Sequence, residues 1–205
     1  MTLRENPAVA ALLGRRSIRR FESREVEEER ISLLLECACA APSAAGTRPW
    51  HFVVVRDRGR LDALAQAHPY GKMLFQAPLA VVVCGDPGKS DLARLYWEED
   101  CSAAMENLLV AAYALGLGGV WLGVQHTPQR EAALRVILSI PETVRVLGVA
   151  AIDSALDNLT GRVKSIHLGR TGHMVLIQDN GVILADPRHE NQNFKKVSEL
   201  ENRAL

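Results

Sequence analysis

The sequence carries no excess of either charge: 24 Lys and Arg stand against 24 Asp and Glu, a formal net charge of zero. That balance gives no sign of the basic footprint expected of a nucleic-acid binder or of a protein held on an anionic membrane. Long apolar runs are missing too. The longest, such as Ala77 to Cys84, fall far short of the roughly 20 residues that span a bilayer. The N-terminus, MTLRENPAVAALLGRRSIRRF, places its arginines after a short apolar stretch, the reverse of a secretory signal. The expectation is a cytoplasmic protein with neither membrane nor nucleic acid as a partner.

Cysteine is scarce, with four residues. Cys37 and Cys39 are separated by one residue in a helical pattern, which suits neither a disulfide nor a zinc knuckle. Cys84 and Cys101 sit in apolar segments, and the thiols are expected to be buried and reduced. The dinucleotide fingerprint GxGxxG is absent, and no serine has a nucleophile-elbow context. His51, His68 and His126 lie in separate segments without a carboxylate or cysteine at ligand spacing, so no metal site is expected. Repeats and low-complexity tracts are also lacking.

What remains is ordinary globular material: 205 residues, 48% apolar and 23% charged, enough for one domain or one domain with an appended piece. Helical patterns cover residues 4 to 14, 26 to 40, 61 to 67, 92 to 115 and 128 to 138. Strands are read at 50 to 56, 79 to 84, 120 to 124 and 144 to 152. The longest helix, Leu92 to Leu115, is apolar nearly all round its second half and belongs at the centre. This alternation is compatible with α/β or α+β. Beyond it, Leu156 to Ile166 reads as an amphipathic helix, and Asp179-Asn180-Gly181 as the turn of a hairpin. The polar tail Lys195 to Leu205 reads as a frayed helix or as disorder.

Three segments hold residue types suited to a ligand. Arg15-Arg16-Ser17-Ile18-Arg19-Arg20 offers planar donors that fit a phosphate bidentately, or else forms a solvated basic turn. Ala41 to Trp50, with Pro42, Ser43, Gly46 and Arg48, could let a flat ligand approach the backbone, or could be a plain helix-to-strand loop. Gly116 to Gly123, with Trp121 and Leu122, leads from the long helix into a strand and could present backbone N–H groups.

In this order, RRSIRRF, APSAAGTRPWHFVVV, HPYGKMLFQAPLAVVVCGD, YWEEDCSAAMENLLVAAYALGLGGVWLGV and SIPE resemble the nitroreductase family of flavoproteins over residues 10 to 142. The resemblance implies an α+β fold, a mixed sheet covered by helices, and an obligate homodimer with FMN at the subunit interface. It assigns Arg15, Arg16, Ser17 and Arg19 to the phosphate and ribityl end. Pro42 and Ser43, and with them Arg48, would approach the isoalloxazine from the second subunit. Trp121, Leu122 and Gly123 would line the ring, with a backbone N–H near its N5. The flavin itself would carry the chemistry, taking hydride from NADH or NADPH and reducing a nitroaromatic, quinone or similar small-molecule acceptor. No side chain is needed as a general base.

Two features depart from the family pattern. The usual N-x-Q-P-W of the flavin loop has Gly46 and Arg48 in place of Asn and Gln. The family's G-Y-P turn and basic tail are not recognisable after Pro141-Glu142. Instead VRVLGVAAIDSALDNLTGRVKSIHLGRTGHMVLIQDNGVILADPRHENQNF resembles the later part of a Cache sensory domain. The expected organisation is therefore a flavin-binding body over 1–142 and a partial Cache-like β-α-β-hairpin segment over 143–205. The alternatives are a small-molecule-binding sensory module and a flavin-binding protein impaired in turnover.

Overall fold

The computed structural model describes residues 2–21 and 24–154, together with two short strands at Leu176–Ile177 and Ile183–Ala185. Packing divides the chain into two units, Met1–Ser154 and Ala155–Leu205. The first contains α1 (Pro7–Gly14), α2 (Glu28–Cys39), β1 (Trp50–Val55), α3 (Arg58–Ala67), β2 (Leu79–Gly85), α4 (Asp91–Ala114), β3 (Leu117–Gly123), α5 (Pro128–Leu138) and β4 (Arg145–Ser154). No helix among the described residues is long and apolar enough to cross a membrane.

Local chemistry sets the helix ends. Asn6 caps α1 by accepting from Ala8 N at 3.0 Å, and Pro7 takes the first helical position. Ser90 caps α4 through Ala93 N at 3.0 Å. Leu115 ends that helix, and Gly116 follows at φ +75°, a left-handed position natural to glycine.

The fold is α+β. Four strands form a sheet in the order β1-β2-β4-β3, each pair antiparallel. The mixed character expected of the sheet comes from outside these strands, as a parallel bridge between Ser17 and Gly119 on the free edge of β3. β2 is buried along its whole length. Its Leu79, Val81 and Val83 join α2 and α4 in one core layer, while Ala80, Val82 and Cys84 join α3 and α5 in the other. Strict alternation of this kind comes from the two-residue period of a strand, and coverage on both faces explains the unbroken apolar run.

β3 begins earlier than the sequence suggested, so Gly118 and Gly119 lie inside the strand rather than ahead of it. The reason is close packing. A Cβ on Gly119 would stand 3.0 Å from Leu109 Cδ2, which lets α4 lie tightly on the strand. The strand expected at 144 to 152 is β4, hydrogen-bonded to β2 on one side and β3 on the other. It therefore belongs to the first unit.

In the second unit, Leu176 pairs with Ala185 and Ile177 with Ile183, antiparallel as a hairpin requires. The 179–181 turn, the 156–166 helix and the 195–205 tail lie outside the described residues. Cys84 and Cys101 are buried, and burial pushes both thiols up to about 12. Cys39 corrects the expectation of burial. It is exposed and Cys37 is half-buried, because α2 buries the Ile31, Leu34 and Ala38 stripe and Cys39 falls outside it.

Candidate functional site

The arginine segment follows α1 and turns along the free edge of β3. Ile18 N donates to Gly119 O at 3.0 Å, holding Ser17 and Arg19 beside the strand. Arg15 caps the C-terminus of α1 and directs its Nε to Glu106 Oε1 of α4 at 3.0 Å. Part of its donor capacity is thus already engaged. Arg16 is exposed, with Nη1 donating to the backbone carbonyls of Leu13 and Arg15. Arg19 is exposed as well, and its Nη1 reaches Ser17 O at 3.4 Å. Arg16 and Arg19 are therefore charged donors at the surface that hydrogen-bond to neutral carbonyls.

Trp121, Leu122 and Gly123 close β3. Leu122 is buried in the α3/α5 layer, so at this edge it offers only its backbone. Trp121 packs against the opposite layer. Its indole crosses to β4, where a Cβ on Gly148 would fall against Trp121 Nε1 and 2.7 Å from Leu122 O. Among the described residues, neither the buried indole N–H nor Gln125 Oε1 just beyond the strand has a hydrogen-bond partner. Orphaned buried polar atoms are uncommon and call for an explanation such as an absent ligand or water.

The Gly123 carbonyl accepts from both His68 Nε2 at 2.9 Å and Arg130 Nη1 at 2.6 Å. Tyr70 N donates to His68 Nδ1 at 3.2 Å, so the ring proton must sit on Nε2. Burial lowers the His68 pKa, against the Gly123 hydrogen bond and with the help of the Arg130 charge. The neutral ring is thus the form that fixes the end of β3. Close by, His126 is held at φ +61° with Nε2 3.1 Å from Glu98 Oε2.

The loop from Pro42 to Arg48 lies at the same end of the sheet but at its other edge, leading into β1. Three strand spacings, about 14 Å, separate β1 from β3. One chain therefore joins the arginine segment to β3, the strand that ends in Trp121–Gly123, but leaves Pro42, Ser43 and Arg48 at the other edge of the sheet. Within the loop, Ala45 at φ +47°, Gly46 at +70° and Arg48 at +46° are all left-handed. For the two residues with a Cβ this costs of order 1–3 kcal/mol each. Ser43 Oγ accepts from Arg48 N at 3.0 Å, and Lys89 Nζ donates to Arg48 O at 2.7 Å.

The anchor beneath the loop is Asp100 of α4, which is 6% exposed. Its Oδ1 accepts from Ala44 N at 2.9 Å and its Oδ2 from Thr47 Oγ1 at 3.2 Å. Sequence reasoning assigned no role to Asp100 or to His68. The available signal was slight: Asp100 is the last of three consecutive acids, at the point where the long helix turns apolar, and a charge buried there needs partners.

Comparison with known proteins gives a consistent picture. The model of the nitroreductase family matches residues 12–68 and 63–152. A protein of Archaeoglobus fulgidus, provisionally named NADH dehydrogenase/NAD(P)H nitroreductase, is 47% identical over 138 residues, 67% of this chain and 79% of its own. Among solved structures, an FMN-dependent nitroreductase from Clostridium difficile is 31% identical with a TM-score of 0.66, covering 79% of this chain and 99% of that one. A nitroreductase-like protein of Desulfovibrio desulfuricans, solved in complex with FMN, is 33% identical with a TM-score of 0.69, covering 75% of this chain and 89% of that one. Residues 144 to 152, grouped above with the Cache-like stretch, fall inside the family match.

Proposed function

The chain belongs to the nitroreductase family, and from that premise we propose that it is an FMN-dependent oxidoreductase using NADH or NADPH to reduce a nitroaromatic, quinone or similar small acceptor. The observation that carries this reading is the joining of the arginine segment to the edge of β3, at Gly119, through the Ser17–Gly119 bridge. It sets cationic donors beside the strand that carries Trp121, whose indole N–H lacks a partner among the described residues.

The residues fit the cofactor's chemistry. Arg16 and Arg19 would bind the phosphate, each exchanging backbone carbonyls for a charged acceptor. Ser17 would add a hydroxyl, and Arg15, tied to Glu106, would orient the segment and contribute its remaining N–H groups. Trp121 would cover the ring, while Leu122 and Gly123 would present backbone, held in place by His68 and Arg130 on the Gly123 carbonyl. When bound, FMN would supply the hydride chemistry, and preorganised N–H donors are the protein's means of favouring its reduced, anionic form.

A homodimer belongs to the same reading. Pro42, Ser43 and Arg48 lie across the sheet from the arginine segment, so a second copy would have to bring them to the ring. Val9, Leu12 and Leu13 on α1 and Leu92, Leu95 and Tyr96 on α4 stand exposed, the kind of apolar surface an obligate interface covers.

The test is anaerobic absorbance spectroscopy of the purified protein, reconstituted with FMN and then titrated with NADPH and NADH, alongside R16A/R19A. Flavin bands that bleach with the nicotinamide, and FMN binding weakened by about tenfold or more in the double variant, are expected. A wild-type protein that takes up no FMN would refute the proposal.

A further inference from the structure

Asp100 is a buried carboxylate with no place in the chemistry proposed above, yet both of its oxygens are committed to one loop. Oδ1 takes the Ala44 N–H at 2.9 Å and Oδ2 the Thr47 hydroxyl at 3.2 Å. Between and just after those two anchors lie the three left-handed residues Ala45, Gly46 and Arg48. The loop is tied at two further points, Ser43 Oγ to Arg48 N and Lys89 Nζ to Arg48 O. A strained backbone persists only where its surroundings over-determine it, and such strain gathers at binding sites.

From this we infer that Asp100 is a positioning residue: its carboxylate holds the Ser43–Arg48 loop in the strained shape in which that loop meets the flavin. The inference rests on the FMN reading of the same loop. It also adds to the role of Ser43, whose hydroxyl oxygen accepts from Arg48 N and so shapes the loop, leaving its O–H as a donor.

The arrangement is specific about which substitutions matter. Asn at position 100 keeps a carbonyl oxygen for Ala44 N–H and gains an NH2 that can donate to the Thr47 hydroxyl, so both links survive. Ala removes both. Thr47→Val removes the hydroxyl link and leaves the Ala44 link intact. Because Asp100 and Thr47 act through one contact, Thr47→Val should add little once Asp100 is gone.

The experiment measures FMN dissociation constants, by quenching of flavin fluorescence, for wild type, D100N, D100A, T47V and D100A/T47V. Melting of each FMN-free protein and the midpoint potential of each bound flavin are recorded beside them. The expected result is an FMN affinity about tenfold or more weaker in D100A. T47V should be intermediate, D100N within about threefold of wild type, and the double variant no worse than D100A. The bound-flavin potential should move in D100A and stay put in D100N. If D100A fails to fold, T47V against D100N decides the matter by the same affinity order. Wild-type FMN binding with equal affinity in D100A and T47V overturns this inference alone. Failure of the wild type to bind FMN overturns both it and the function it rests on.

Discussion

Replacing Glu131 by Ala tests how α5 is locked to the sheet. Glu131 is 6% exposed and accepts from Arg135 Nη2 at 2.9 Å, Arg145 Nε at 2.9 Å, Arg145 Nη2 at 3.1 Å and Val146 N at 3.1 Å. Removing one partner of a buried ion pair costs about 3–5 kcal/mol when the other charge stays buried. Here the Arg145 side chain is 43% exposed, so its guanidinium can rehydrate, and Arg135, 18% exposed, keeps its hydrogen bond to Pro141 O, so that part of the loss is small. The Val146 N–H is fully buried, and an orphaned buried donor costs about 1–3 kcal/mol. The expected destabilisation is therefore about 2 kcal/mol, a fall in melting temperature of roughly 4–8 °C for a unit of this size.

The same site predicts a pH dependence. Burial pushes the Glu131 carboxyl up, but hydrogen bonds from Arg145 and the Val146 N–H, the Arg145 charge and the Arg135 hydrogen bond together hold it below the usual glutamate range. A carboxyl with a depressed folded-state pKa contributes stability that is complete above its unfolded value and is lost as pH falls through the folded one. The gap between wild type and E131A should thus be largest near neutrality and shrink as pH drops below about 4. Denaturant unfolding at several pH values measures both effects. A difference under about 0.5 kcal/mol at neutral pH, within the range of an ordinary surface change, would refute the reasoning. So would a gap that widens in acid.

Gly148→Ala should place a methyl against Trp121 Nε1 and the Leu122 carbonyl, costing about 1–3 kcal/mol by overpacking. A lowered melting temperature and altered tryptophan fluorescence would report it, and unchanged values would mean the indole has room to move. Thiol labelling of the native protein at mildly alkaline pH should modify exposed Cys39 rapidly and half-buried Cys37 more slowly. Cys84 and Cys101, whose thiols burial pushes up to about 12, should react only on unfolding. Rapid loss of all four thiols in the native protein would contradict the packing.

Much of the architecture follows from local rules. Apolar periodicity locates the helices within a few residues, because stripe formation depends on neighbours a turn away. The all-apolar β2 announces itself as a central strand for the same reason. The ordered segments RRSIRRF, APSAAGTRPW and GLGGVWLG can be singled out in sequence as candidates, since their residue types bear on phosphate and backbone recognition whatever surrounds them.

Contacts distant in sequence are another matter. Nothing in the chain order says that Ser17 will pair with Gly119, that β4 will insert between β2 and β3, or that Asp100 will reach back over 50 positions to Ala44 and Thr47. The glycines at 118 and 119 looked like a loop because their role depends on α4 packing against the strand, which no local pattern encodes. His68, read only as a histidine without metal-ligand spacing, and Glu131, given no role, gain their functions when the fold buries them against Gly123 and Val146. Sequence alone determined the elements and the residue types available to a cofactor. Tertiary structure decided which of them share an edge and which buried polar groups hold them there, because burial and hydrogen-bond partnership exist only once distant segments meet.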